Sequence, residues 1–189
     1  MHAYIIYGFG EGSWHGRKFV EALNVRGISM TDDLQQANYV IAHSGGCFYV
    51  PPLRDNQLLM LIGAPYWPGR TLASRGGIMI MQMLAAMRPG NRPLYRFYNN
   101  FRHLVSLFAS GRSNWRIARR AKTFQLEKEA THTNTIVVRN EHDPWITSEL
   151  EALQKINPHL SLVSLPGTHL HCWEFPDMYI DLLEQYKVI

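Results

Sequence analysis

Three short segments of this 189-residue chain hold the side chains that acyl transfer needs, in the chain order Ser, Asp, His. Ala42-His43-Ser44-Gly45-Gly46 offers a hydroxyl among small residues. Asn140-Glu141-His142-Asp143-Pro144 offers a carboxylate, and Gly167-Thr168-His169-Leu170-His171 an imidazole. A hydroxyl attacks a carbonyl carbon when an imidazole takes its proton and a carboxylate fixes the tautomer of that imidazole. Plainer readings exist for each segment. Ser44 could cap a helix after a simple strand-end turn, and Asp143 could do the same before Pro144. Glu141 is the alternative acid.

The pair His169 and His171 raises a second chemistry. A His-x-His spacing puts two rings on one side of an extended segment, as some metal sites do. No further Cys, His or carboxylate stands at a recognisable ligand spacing, so a metal site is not expected. His171 is then a supporting or surface group. His15 and His103 belong to no motif and read as ordinary structural histidines.

Distant loops meet only if the fold gathers them, and the apolar pattern says how. The run AYIIY (3–7) reads as a buried strand ending in a glycine-rich loop. Ser13 is a plausible N-cap for the helix that follows, with Phe19, Val20 and Leu23 on one face. Residues 26–30 could form a short strand, and 32–36 leave room for one helical turn. NYVIA (38–42) and QLLMLI (57–62) read as strands. Between them, Pro51-Pro52 cuts short any helix behind Ser44. Strand character returns at TIVVR (135–139) and at 160–165, with helices expected over 145–156 and 176–186. Strands alternating with helices imply an α/β fold with a mostly parallel sheet flanked by helices. In such a sheet, loops beyond the carboxyl ends of the strands carry the ligand-binding groups. Ser44, Asp143 and His169 all follow strands there.

Residues 66–123 differ from the rest. Apolar residues make up 46% of the chain and charged residues 18%, as in an ordinary globular protein. Yet no acidic residue lies between Asp55 and Glu127, where eleven of the nineteen Lys and Arg fall. A basic segment is thus set into an acidic body, and 77–87, 94–109 and 115–123 read as helices. This predicts a helical, Arg-rich cap (66–123) inserted into a core made of 1–65 and 124–189. The longest apolar stretches, 58–68 and 78–87, are too short to span a bilayer. No secretory signal is evident at the start. With only Cys47 and Cys172, a disulfide framework is not expected and a reducing cytoplasm is the default location.

These segments together resemble the α/β-hydrolase family over nearly the whole chain. AHSGG resembles its nucleophile elbow, Gly-x-Ser-x-Gly, with Ala42 in place of the first glycine. IIYGFGEG resembles the loop usually written His-Gly-x-Gly, with Tyr7 where the family has histidine. NEHDP resembles the acid loop. GTHLHCWEFPD resembles the terminal Gly-x-His signature, because Glu174 and Pro176 stand at the family's offsets from His169 and not from His171. The resemblance implies Ser44 as nucleophile, Asp143 as acid and His169 as base, with the amides of Phe9 and Gly45 as oxyanion hole. The stretch between Arg26 and Asn38 is short for the family's strand-and-helix pair, and no opening hairpin precedes the first strand, so a pared-down core is expected.

The implied activity is hydrolysis of a carboxylic ester or similar small acyl substrate through an acyl-enzyme, without metal or organic cofactor. Met, Leu, Phe and Tyr of the cap would suit an acyl or aromatic group, and its arginines could meet an anion. Most of them read more simply as packing and solvated charge. The rival reading is a non-catalytic binding protein on a hydrolase scaffold that uses the basic cap, residues 112–122 in particular, to hold an anionic partner. That segment has few apolar anchors for a membrane surface, so only weak contact there is expected, and no nucleic-acid motif accompanies it.

Overall fold

The runs YVIAH and LLMLI are buried at every position. Continuous apolar strands of this kind need cover on both faces of a sheet. The computed structural model, which describes residues 1–8, 11–64, 116, 119, 134–143 and 150–186, supplies that cover. Its sheet is six-stranded and parallel throughout: β1 (His2–Ile6), β2 (Ser29–Met30), β3 (Tyr39–His43), β4 (Leu58–Ile62), β5 (Thr135–Asn140) and β6 (Leu160–Leu165), in the order β2-β1-β3-β4-β5-β6.

Alternate residues of each strand serve opposite faces. Val40, Ala42, Leu59, Leu61 and Val137 pack with Phe48 and with Leu150 and Leu153 of α2 (Leu150–Ile156). Tyr39, Ile41, Met60, Ile62 and Val138 pack on the other side against Phe19 and Leu23 of α1 (Arg17–Val25) and Tyr179 and Leu183 of α4 (Asp177–Gln185). Between His169 and α4 lies a one-turn helix, α3 (His171–Glu174). Arg26, at the end of α1, donates to Asp181 and Glu184 of α4 at 2.8 and 2.9 Å and docks the two helices.

The strand order turns back on itself at one place. From β1 the chain moves outward to β2, then returns to the far side of β1 for β3. Helical structure after β1 and after β3 packs on opposite faces. A crevice opens at such a switch point, between the carboxyl ends of the two strands. Register pairs Ile6 with Ala42 there, so Gly8 and Ser44 leave the sheet side by side.

Some elements differ from the sequence reading. Ser13 is not an N-cap: α1 begins at Arg17, after Gly16, with no side-chain capping bond. The residues around Ser13 are closed as a separate turn, in which the His15 amide donates to the Gly12 carbonyl at 2.9 Å and His15 Nδ1 accepts from the Gly12 amide at 3.2 Å, a reciprocal contact. The helix starts only past that contact. The 26–30 strand shrinks to Ser29 and Met30, since the amides of Arg26 and Gly27 still bond carbonyls of α1. Gln57 lies outside β4, and its buried amide donates to the carbonyls of Leu34 and Ala37 at 2.8 and 2.9 Å. A 3-10 turn at Leu34–Gln36 fills the short 32–36 connection. Behind Ser44, a 3-10 helix (Ser44–Tyr49) gives way to irregular chain before the double proline. The expected cap over 66–123 lies outside the described residues, apart from Arg116 and Arg119, which are exposed. Among the described residues no helix is long and apolar enough to cross a membrane.

Candidate active site

Ser44 is the only non-glycine residue at positive φ among the described residues, at +51°. That region costs an L-residue about 1 kcal/mol or more and persists only where the surroundings force it. Here they do. β3 ends at His43, and the chain turns at Ser44 straight into the 3-10 helix. The turn is pressed against β1: a Cβ on Gly46 would overlap the carbonyl oxygen of Ile6 and stand 2.8 Å from that of Tyr7. From the other side, a Cβ on Gly8 would stand 2.8 Å from the Cβ of Ser44. Glycine at 46 therefore lets the turn form, and glycine at 8 lets the loop after β1 approach the serine. Gly45 is buried in the turn.

Asp143 and His169 come together at the ends of β5 and β6. Nδ1 of His169 stands 2.6 Å from Oδ2 of Asp143, whose side chain is fully buried. The backbone brings them there: the amides of Glu141 and His142 donate to the carbonyls of Leu165 and Gly167 at 2.9 Å each, extending the β5–β6 ladder into the loops. Asn140 continues the tie. Its Nδ2 donates to the Thr168 carbonyl at 2.8 Å, and its Oδ1 accepts from the Tyr179 hydroxyl at 2.6 Å. Burial pushes the Tyr179 phenol up, so it stays a donor. Gly63, beyond β4, backs the pair. At φ +59° it carries no Cβ, and one placed there would lie 3.1–3.3 Å from His169 Cε1, His169 Nδ1 and Asp143 Oδ2.

His43 links the serine turn to the histidine loop. Its Nε2 lies 2.8 Å from the His169 carbonyl oxygen, and the two rings are 4.8 Å apart. Its Nδ1 lies 2.6 Å from Oε1 of Glu11 in a contact that is chiefly ionic, since no well-aligned hydrogen bond forms there. Oε2 of Glu11 accepts from the Gly8 amide at 2.7 Å. Both side chains are buried. Burial pushes the Glu11 carboxyl up, but the His43 charge beside it and the hydrogen bond from the Gly8 amide outweigh it and hold the group at about 2. Burial pushes His43 down, and Glu11 outweighs it, raising His43 well above the ordinary range.

Of the other sequence candidates, Glu141 is exposed and is not the acid beside His169. His171 packs on Phe175 with ring centroids 4.7 Å apart. His15 accepts the Gly12 amide through Nδ1 at 3.2 Å. Phe9 and His103 lie outside the described residues. Among the described residues, no three His, Cys, Asp or Glu side chains are grouped so as to hold a metal ion. Sequence reasoning missed Glu11, the role of His43, Gly63, and the Asn140–Tyr179 strap. The parallel pairing of β1 with β3 was the available signal for Glu11, because it sets the loop after Ile6 against the residue after Ala42.

No family model matches the chain, and no curated protein matches it by sequence. Solved structures match it by fold. A hydrolase from Pseudomonas aeruginosa PA01 superposes with a TM-score of 0.67 at 15% identity, over 98% of this chain and 89% of that one. The enol-lactonase from Burkholderia xenovorans LB400 gives 0.66 at 10% identity, over 98% and 90%. A carboxylesterase structure from Nitrososphaera gargenis gives 0.63 at 11% identity, over 98% and 89%. The chain has the α/β-hydrolase fold.

Proposed function

We propose that this protein is a serine hydrolase acting on a carboxylic ester or similar acyl substrate. Ser44 is the nucleophile, His169 the general base and Asp143 the carboxylate that orients it. The observation that carries the reading is the φ of +51° at Ser44, a strained serine at the sheet's switch point. Strain of this kind is kept where a side chain must be presented to a ligand. The 2.6 Å contact between Asp143 and His169 Nδ1 supports the same reading, because it leaves Nε2 as the proton acceptor. Two fold relatives are described as a carboxylesterase and an enol-lactonase.

In this mechanism, Nε2 of His169 takes the Ser44 proton as the hydroxyl oxygen attacks the acyl carbon. The amides of Gly45 and Phe9 receive the oxyanion, each such donor contributing about 10²–10³ in rate. The imidazolium, held by Asp143, gives its proton to the leaving alkoxide. Water, deprotonated by His169, then attacks the acyl carbon, and the imidazolium returns that proton to the Ser44 oxygen as the acid leaves.

A fluorophosphonate probe and a panel of p-nitrophenyl esters of varied chain length test this. Wild type should label and turn over, and Ser44→Ala should do neither while keeping its circular dichroism. Unchanged hydrolysis by Ser44→Ala removes Ser44 from the mechanism. A folded wild type that neither labels nor hydrolyses, yet binds anionic lipid in a salt-dependent way, favours the binding-protein reading.

A further inference from the structure

We infer that Glu11 and His43 are a positioning pair for the reaction, locking the loop after β1, the Ser44 turn and the His169 loop into one arrangement. The inference rests on the assignment of Ser44 and His169 made above and adds two residues that touch no substrate.

The groups around His43 favour a doubly protonated ring. Nε2 faces a carbonyl oxygen at 2.8 Å and Nδ1 faces a carboxylate oxygen at 2.6 Å. With Glu11 ionised neither acceptor can donate, so both are met when the ring carries a proton on each nitrogen, as an imidazolium beside the carboxylate. A buried imidazolium needs a buried anion, which Glu11 supplies. The second oxygen of Glu11 is taken up by the Gly8 amide at 2.7 Å. One ion pair thus holds three backbones: Gly8 from the loop after β1, His43 from the end of β3, and His169 from the loop after β6. Among the described residues no main-chain ladder joins the His169 loop to β3, since β4 and β5 lie between β3 and β6.

Packing fixes the ring in place. His43 stands edge-on to Trp173 at 5.1 Å between centroids, and Trp173 in turn contacts Tyr7 and Phe19 at 5.6 Å each. The pair therefore has one available geometry. Its loss lets the His169 backbone drift relative to Ser44, and small misplacements of a base are costly to the chemical step. Substrate binding, which the pair does not touch, is left alone.

The test separates a tie from mere filler. His43→Phe keeps a ring against Trp173 but removes both N–H donors; we expect kcat to fall about tenfold or more, with KM within about threefold. His43→Gln, whose amide nitrogen reaches to where Nε2 was, should recover most of that loss. Glu11→Gln can still accept from Gly8 and donate to a neutral His43, so it should stay within about threefold of wild type, whereas Glu11→Leu should match His43→Phe. The double variant Glu11→Leu/His43→Phe should be no worse than either single one. A folded His43→Phe with wild-type kcat overturns the inference alone. A wild type inert to both ester and fluorophosphonate overturns the Ser44 reading with it. Should His43→Phe fail to fold, nitrogen-edited NMR of the wild type decides: two slowly exchanging ring N–H signals from His43 at about pH 7 are expected, and a single one overturns the pair.

Discussion

Nδ1 of His169 stands 2.6 Å from Oδ2 of Asp143, a carboxylate with no exposed side-chain surface. The contact fixes both the tautomer and the direction of the imidazole. Asp143→Asn keeps the shape but presents an amide, which can hold the ring with the proton on the wrong nitrogen. We expect kcat on a p-nitrophenyl ester to fall about 10³–10⁴-fold with the fold intact. A fall of less than about tenfold would show that Asp143 does not orient the base.

Gly63 gives a second handle on the same pair. Alanine there takes up a backbone at φ +59° and places a methyl group 3.1–3.3 Å from the His169 ring and the Asp143 carboxylate. Gly63→Ala should cost about 1 kcal/mol in urea unfolding from backbone strain. Displacement of the imidazole should lower kcat by about tenfold or more. Loss of stability without loss of kcat would show that the contact gives way freely.

The strands were legible because apolar runs such as NYVIA and QLLMLI stop abruptly, the first at His43-Ser44-Gly45-Gly46 and the second at Gly63. Ser44, Asp143 and His169 stood out because each follows such a run. What stayed hidden depends on lateral pairing rather than on sequence neighbourhood. Glu11 sits in a glycine-rich loop that reads as plain connection, and only the β1–β3 register brings it to His43. Asn140 reads as the last residue of a strand, yet its side chain reaches Thr168 and Tyr179. Ser13 is a good capping residue by local propensity, but it lies inside the Gly12–His15 turn and α1 starts only after Gly16.

The buried pair predicts a stability window. The Glu11 carboxyl is held at about 2 against an ordinary 4.5, so its contribution is complete above about pH 4.5 and is lost as pH falls toward 2. His43 is raised above an ordinary 6.5, so its contribution is complete below 6.5 and is lost as pH climbs through the raised value. The two overlap between pH 4.5 and 6.5. Tyr7, Cys47 and Cys172, which face the pair along with His169, are pushed up by burial and stay neutral through this range. Urea unfolding of wild type against Glu11→Gln/His43→Gln, in which neither position titrates, should show a stability difference that peaks in that window. A difference that is flat from about pH 3 to pH 9 would mean the pair is not ionised.

The last prediction concerns strain at Ser44. At φ +51° the serine occupies a region where a Cβ is disfavoured, and alanine inherits the same penalty. Glycine does not, although its greater freedom in the unfolded chain offsets part of the gain. Ser44→Gly should therefore unfold at higher urea than Ser44→Ala, by about 1 kcal/mol, while both lack turnover. Ser44→Ala should lie close to wild type. This ordering separates a serine held for its hydroxyl from one held for its fold, because a residue kept for stability would not sit where glycine is preferred. Equal stability of the glycine and alanine variants would mean that the turn carries no strain at that position, and the strongest support for Ser44 as a presented nucleophile would be gone.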